Sequence, residues 1–326
     1  MTSNRRSSRR RSPAPDQYDD QFGPLVAGGA SVEDAYWDLV VTDIEEALAT
    51  LRPVFDASDG LDGFVSVEVA PSLAHETEAT AAAALDLHRR IDEPNLYVKI
   101  PGTEAGLPAI ERVIAAGRSV NVTLLFSLER YDAVIEAYLA GLEACEGDLS
   151  GTSSVASFFV SRVDAAVDAR LDEIGTPEAL ALRGRAAVAN AQLAYELFRD
   201  RFQGERWEAL AARGARVQRP LWASTSTKDP SYPATLYVDT LIAPDTVNTM
   251  PEGTLEAFER DGTVARTADA DLDGARATID ALAELGIDLG EVTDQLEREG
   301  VAAFIASYDD LLGTLQAKAD ALAEAR

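Results

Sequence analysis

Short extended runs in which apolar and polar residues alternate recur along the chain, separated by longer helical stretches. Val65, Val67 and Val69 alternate with Ser66 and Glu68, and Val98 and Ile100 flank Lys99. Val120, Val122 and Leu124 alternate with Asn121 and Thr123. Ala156, Phe158 and Val160 alternate with Ser157 and Phe159. The pattern predicts strands near 63–70, 95–101, 119–127, 153–161, 219–226 and 246–251. Helices are predicted near 31–51, 76–92, 104–117, 129–144, 252–261 and 271–286. The stretch 162–204 reads as two helices broken near Gly175 and Pro177, and 290–324 as a last helix broken at Gly300. Strands alternating with helices in this way predict a parallel sheet with crossover helices.

Residues two apart on a strand share a face, so these runs place polar groups on one face and apolar groups on the other. A parallel sheet covered by helices on both sides should be apolar on both. A closed α/β barrel, with its site at the C-terminal strand ends, accommodates a polar inner face. An antiparallel sheet wetted on one side is the alternative, and the intervening helices disfavour it. In a barrel, Glu68, Lys99, Asn121, Thr123 and Ser157 converge on one mouth. Singly, Asn121 and Ser157 read as satisfied interior groups; together the five favour a site.

Composition narrows the chemistry. With 46% hydrophobic residues in 326, the chain can bury a full core, and no Gly/Ser linker or composition shift divides it. No apolar run is long enough for a membrane span, and the start lacks an apolar signal core, so a soluble cytoplasmic protein is expected. Cys145 is the single cysteine, which excludes an internal disulfide, and His75 and His88 lack clustered partners, so no metal site is expected. A net charge of −27 argues against nucleic-acid binding and leaves small molecules as partners. Only three lysines occur against 26 arginines, a bias that GC-rich coding would produce unaided. Position is what singles out Lys99, inside the apolar run from Asn95 to Thr103. Burying an ammonium is costly, and desolvation favours the free, nucleophilic amine. The alternative is a lysine near a strand end that snorkels to solvent. Beside a carboxylate and several hydroxyl and amide groups, a buried amine suits Schiff-base chemistry on a ketose carbonyl.

Five segments in order carry a family resemblance: Gly63 to Val69, Leu96 to Gly106, Asn121 to Ser127, Ser157 to Arg162 and Trp222 to Lys228. Together they resemble transaldolase in its longer bacterial form, from about Tyr18 to the C-terminus. The resemblance implies a (β/α)8 TIM barrel and transfer of a dihydroxyacetone unit between sugar phosphates, with no metal or organic cofactor. It implies that Lys99 forms the Schiff base while Glu68 and Thr123 hold a proton-relaying water. Asn121, Ser157 and Phe159 would bind substrate, and Arg162, Ser224 and Lys228 the phosphate, for which a cationic fork is suited. Pairing of Arg162 with Asp164 or Asp168 on a helix surface is the alternative for that residue.

The start departs from the family pattern of an aspartate-bearing first strand followed by a second strand ending in Thr-Ser-Asn-Pro-Ser-Ile-Phe-Glu-Lys. Here Asn4 matches the substrate-contacting asparagine and residues 5–15 match nothing. A one-base shift in suitable codons converts Arg5 to Pro13 into Pro-Ser-Ile-Phe-Glu-Lys-Ala-Ile-Ala, so a shifted reading frame is one expectation. A basic, disordered arm that binds RNA is the rival. On this reading residues 1–17 form an irregular basic segment and 18–326 a barrel domain lacking its first strand, less stable or prone to associate as a homo-oligomer. Two functional alternatives remain: a class I Schiff-base aldolase releasing free dihydroxyacetone, and a catalytically dead truncated remnant.

Overall fold

The computed structural model describes residues 18–324; Asn4 and the stretch 5–15 lie outside the described residues. Helices α1 (Asp19–Ala27) and α2 (Val32–Ala57) come first, then β1 (Val65–Glu68), α3 (Thr77–Arg90), β2 (Leu96–Pro101), α4 (Gly106–Ala115), β3 (Val120–Leu125) and α5 (Leu128–Ala144). There follow β4 (Ser154–Phe159), α6 (Ser161–Ile174), α7 (Pro177–Leu180), α8 (Ala186–Arg201), α9 (Gly204–Ala211) and β5 (Arg219–Ala223). The chain continues through α10 (Leu236–Asp239), β6 (Val247–Asn248), α11 (Glu252–Asp261), α12 (Leu272–Glu284) and α13 (Leu289–Glu324).

All six predicted strands form, and they pair in sequence order, each parallel to the next. The result is an α/β fold built on a parallel six-stranded half-barrel. Register aligns Glu68 with Lys99 and Lys99 with Asn121, so these side chains share the inner face. Val67, Val98, Val120, Val122, Ala156 and Phe158 occupy the other face and are fully buried beneath the helices. Burying a side chain of this class stabilises the fold by about 1.5–3 kcal/mol.

Local chemistry sets where the helices start. Ser127 accepts a hydrogen bond from the Arg130 N–H at the start of α5, and Thr176 caps α7 ahead of Pro177 at its first position. The stretch predicted as two helices, 162–204, contains three, because α7 is set off by the left-handed Gly175 and by a turn before α8. Helix α1 has no counterpart in the expected elements, and α2 runs past the expected end at 51, through Pro53.

The predicted break at Gly300 does not occur: α13 is one helix of 36 residues. Glycine serves there for close approach, since a Cβ would stand 3.0 Å from Leu124 Cδ2 and 3.6 Å from Arg162 Nη1. Helix α13 thus lies against the C-terminal ends of the strands. A bulge in β3 shapes the same end. Between the pairs Val122–Ala156 and Leu125–Phe158, Thr123 and Leu124 oppose Ser157 alone, and Leu124 takes a left-handed φ of 61°.

Candidate active site

The inner face carries a continuous polar row. Asn121, fully buried, donates from Nδ2 to Ser66 Oγ at 3.0 Å and accepts at Oδ1 from Ser157 Oγ at 2.7 Å. It therefore spans the face from β1 to β4, and its amide orientation follows from these two partners. In register with Asn121, the buried Lys99 places Nζ 3.3 Å from Glu68 Oε2. The Phe304 ring of α13 stands 6.0 Å from that nitrogen, at the outer limit of a cation–π contact.

Two further atoms at this level are orphaned. Glu68 Oε1 and Thr123 Oγ1 are buried without a hydrogen-bond partner among the described residues. Buried polar atoms are normally satisfied, so both oxygens keep an acceptor position open on the face that carries Lys99. Burial pushes the Glu68 carboxyl above the usual carboxylate range, and the charge and hydrogen bond of Lys99 oppose that rise. A lysine and a carboxyl in these surroundings can pass one proton between them.

Toward the rim, Phe159 packs on Phe126 with ring centroids 5.1 Å apart, and the Arg162 guanidinium lies 5.0 Å from the Phe159 centroid. Arg162 borders a cleft of about 100 Å³ together with Glu68, Phe304, Tyr36, Trp37 and Tyr308. On its other side it borders a wider cleft of about 640 Å³, shared with Arg170 and Lys228. The Ser224 hydroxyl is 2.9 Å from that of Ser161, and Lys228 donates to Ser226 Oγ at 2.7 Å. Asp164 and Asp168, the alternative partners of Arg162, turn into the protein, where both oxygens of each accept other hydrogen bonds.

Lys99, Glu68, Thr123, Asn121 and Ser157 therefore meet on one face. Phe159 and Arg162 stand at its edge, while Ser224 and Lys228 lie on the loop after β5. Asn4 is outside the described residues. Ser66 and Phe304 were not among the expected site residues. The strand alternation already put Ser66 beside Glu68 and could have found it, whereas no local pattern relates Phe304 to Lys99.

The constellation coincides with sequence kinship. A family profile described as Transaldolase/Fructose-6-phosphate aldolase matches residues 9–315. This chain belongs to that family. A transaldolase of Parafrankia sp. (strain EAN1pec) is 54% identical over 303 residues, covering 92% of this chain and 82% of the relative. One from Acidothermus cellulolyticus is 56% identical over 299 residues, covering 90% and 80%, and one from Frankia alni is 55% identical over 304 residues, covering 92% and 82%. Family membership accords with the parallel sheet and with the polar inner face. Among the described residues, no helix is long and apolar enough to cross a membrane.

Proposed function

We propose that the chain is a transaldolase, moving a dihydroxyacetone unit from sedoheptulose 7-phosphate to glyceraldehyde 3-phosphate to give erythrose 4-phosphate and fructose 6-phosphate, in the cytoplasm. The six strands are read as part of a (β/α)8 barrel, whose functional groups gather at the C-terminal strand ends. One observation carries the proposal: a buried lysine 3.3 Å from a carboxylate, within a polar inner face, in a chain of this family.

In this reading Lys99 passes its proton to Glu68, and the free amine adds to the ketose carbonyl. The protonated Glu68 then returns a proton, through a water bridging Glu68 Oε1 and Thr123 Oγ1, to the departing hydroxyl of the carbinolamine. Water leaves and an iminium forms. The iminium accepts the electron pair of the C3–C4 bond as that bond breaks, giving an enamine, while the C4 hydroxyl proton goes back to Glu68 through the same water. The first aldose departs as its aldehyde. An acceptor aldose then runs the steps in reverse, and hydrolysis of the imine frees the product and Lys99. Asn121 and Ser157, held to each other and to Ser66, offer a fixed amide and hydroxyl to the hydroxyls of the bound three-carbon unit. Arg162, with Ser224 and Lys228 on the neighbouring loop, holds the phosphate, and the Phe159 ring fixes the Arg162 guanidinium.

Borohydride reduction in the presence of fructose 6-phosphate tests the proposal. A covalent adduct on Lys99, absent in Lys99→Met, is the expected result; no adduct, or an adduct elsewhere, overturns it. Product analysis with and without erythrose 4-phosphate separates transfer from release of free dihydroxyacetone.

A further inference from the structure

Residues 224–240 run from the end of β5 through α10 and carry both Ser224 and Lys228. At its near end this segment is tied to the start of α6: the Ser161 N–H donates to the Ser224 carbonyl at 3.0 Å, beside the contact between the two hydroxyls. Ser224 takes a left-handed φ of 57°, a conformation that persists only where the surroundings impose it. Farther along, two tyrosines reach back to α6. Tyr237 Oη donates to Asp164 Oδ2 at 2.7 Å, and Tyr232 Oη donates to Asp168 Oδ2 at 2.6 Å. The remaining oxygens accept backbone N–H groups, Asp164 Oδ1 from Ala187 in the first turn of α8 at 2.8 Å and Asp168 Oδ1 from Gly184 in the turn before it at 3.0 Å.

Both carboxylates are buried, one helical turn apart, on the helix whose first turn bears Arg162. Two like charges in that arrangement are costly, and a packed apolar pair would serve bare stability as well or better. What the carboxylates add is direction. Each is a charged acceptor gripping a phenol at a short distance, which fixes the segment in register with α6. Burial and the facing carboxylates push both phenols up, so each remains a donor.

We propose that the pairs Asp164–Tyr237 and Asp168–Tyr232 are positioning residues for the phosphate half of the site: they set the 224–240 segment against α6 so that Ser224 and Lys228 face Arg162. The inference rests on the reading of those three residues as phosphate ligands. It predicts that the tyrosine hydroxyls govern preference for a phosphorylated donor while touching neither substrate nor Lys99.

The test is the double variant Tyr232→Phe/Tyr237→Phe, with Tyr232→Phe alone as the milder form should the double variant fail to fold. Borohydride trapping at Lys99 is followed with fructose 6-phosphate and with dihydroxyacetone, which lacks the phosphate. The half-saturating concentration of fructose 6-phosphate is expected to rise at least tenfold with the limiting rate within twofold, and trapping with dihydroxyacetone to stay within twofold of wild type. An equal loss with both donors, or no change with either, overturns the inference. Binding of inorganic phosphate, measured by calorimetry without turnover, is expected to weaken at least tenfold in the variant, and unchanged binding overturns the inference. Absence of trapping in the wild-type chain counts against the Schiff-base reading alone, since the calorimetric arm still decides the positioning role.

Discussion

Acidification should expose a single buried imidazole. His88 lies on α3 with 3% of its surface exposed, and its Nε2 is 2.9 Å from the Ser119 carbonyl oxygen. A carbonyl only accepts, so Nε2 carries a proton, and burial keeps the ring neutral near pH 7. Burial, with a smaller opposing contribution from the Ser119 hydrogen bond, lowers the imidazole from its ordinary 6.5 to about 4. In the unfolded chain the ring takes a proton near pH 6.5; in the fold it resists until about 4. The stability this confers is complete above the upper value and is lost as pH falls through the lower one. At about 1.4 kcal/mol for each tenfold change, the full interval amounts to about 3 kcal/mol, and about 2 kcal/mol of it is gone at pH 5. Asp164 works the other way. Burial raises it from 3.8 to about 6, so its unfavourable contribution is largest above that value and shrinks toward pH 4. Wild-type stability alone therefore mixes the two. His88→Gln keeps a donor for the Ser119 carbonyl and has no titration in this range, so the difference between wild type and variant isolates His88. Urea unfolding of both at pH 7.5 and pH 5 should show that difference shifting by about 2 kcal/mol in favour of the variant on acidification. A shift below about 0.5 kcal/mol, or one of opposite sign, would refute the buried neutral imidazole.

Two further outcomes follow from named contacts. Glu68→Gln leaves Lys99 buried without its carboxylate and removes the proton relay, so the transfer rate should fall by about 10²–10⁴-fold; steady-state rates within tenfold of wild type would remove Glu68 from the mechanism. Gly141→Ala in α5 would place a Cβ 2.7 Å from the Glu111 carbonyl oxygen in α4, and a net destabilisation of about 1–2 kcal/mol is expected after the gain in helix propensity is subtracted. A raised melting temperature for that variant would show that the two helices do not pack as closely as described.

How far the fold was legible depends on the range of the interactions that decide each feature. Alternation along β1 to β4 is a property of neighbouring residues, so it announced the strands and put Ser66, Glu68, Lys99, Asn121 and Thr123 on shared faces before any coordinates. Gly300 shows the limit of that kind of signal: a glycine in a helical pattern reads as a break, yet here it admits β3 and Arg162 close to an unbroken helix. The β3 bulge and the left-handed Leu124 also left no local mark.

By itself the sequence determined where the six strands lie, that one sheet face is polar, and that a lone lysine sits among apolar neighbours. Tertiary structure alone decided that Asn121 bridges Ser66 and Ser157, that Phe304 approaches Lys99 from the last helix, and that two tyrosines after β5 grip two aspartates on α6. The physical reason is that periodicity records the side of an element on which a residue lies. Partners across a sheet or from a distant helix are chosen by packing and by the need to satisfy buried polar groups, and both are settled only when the whole chain is assembled.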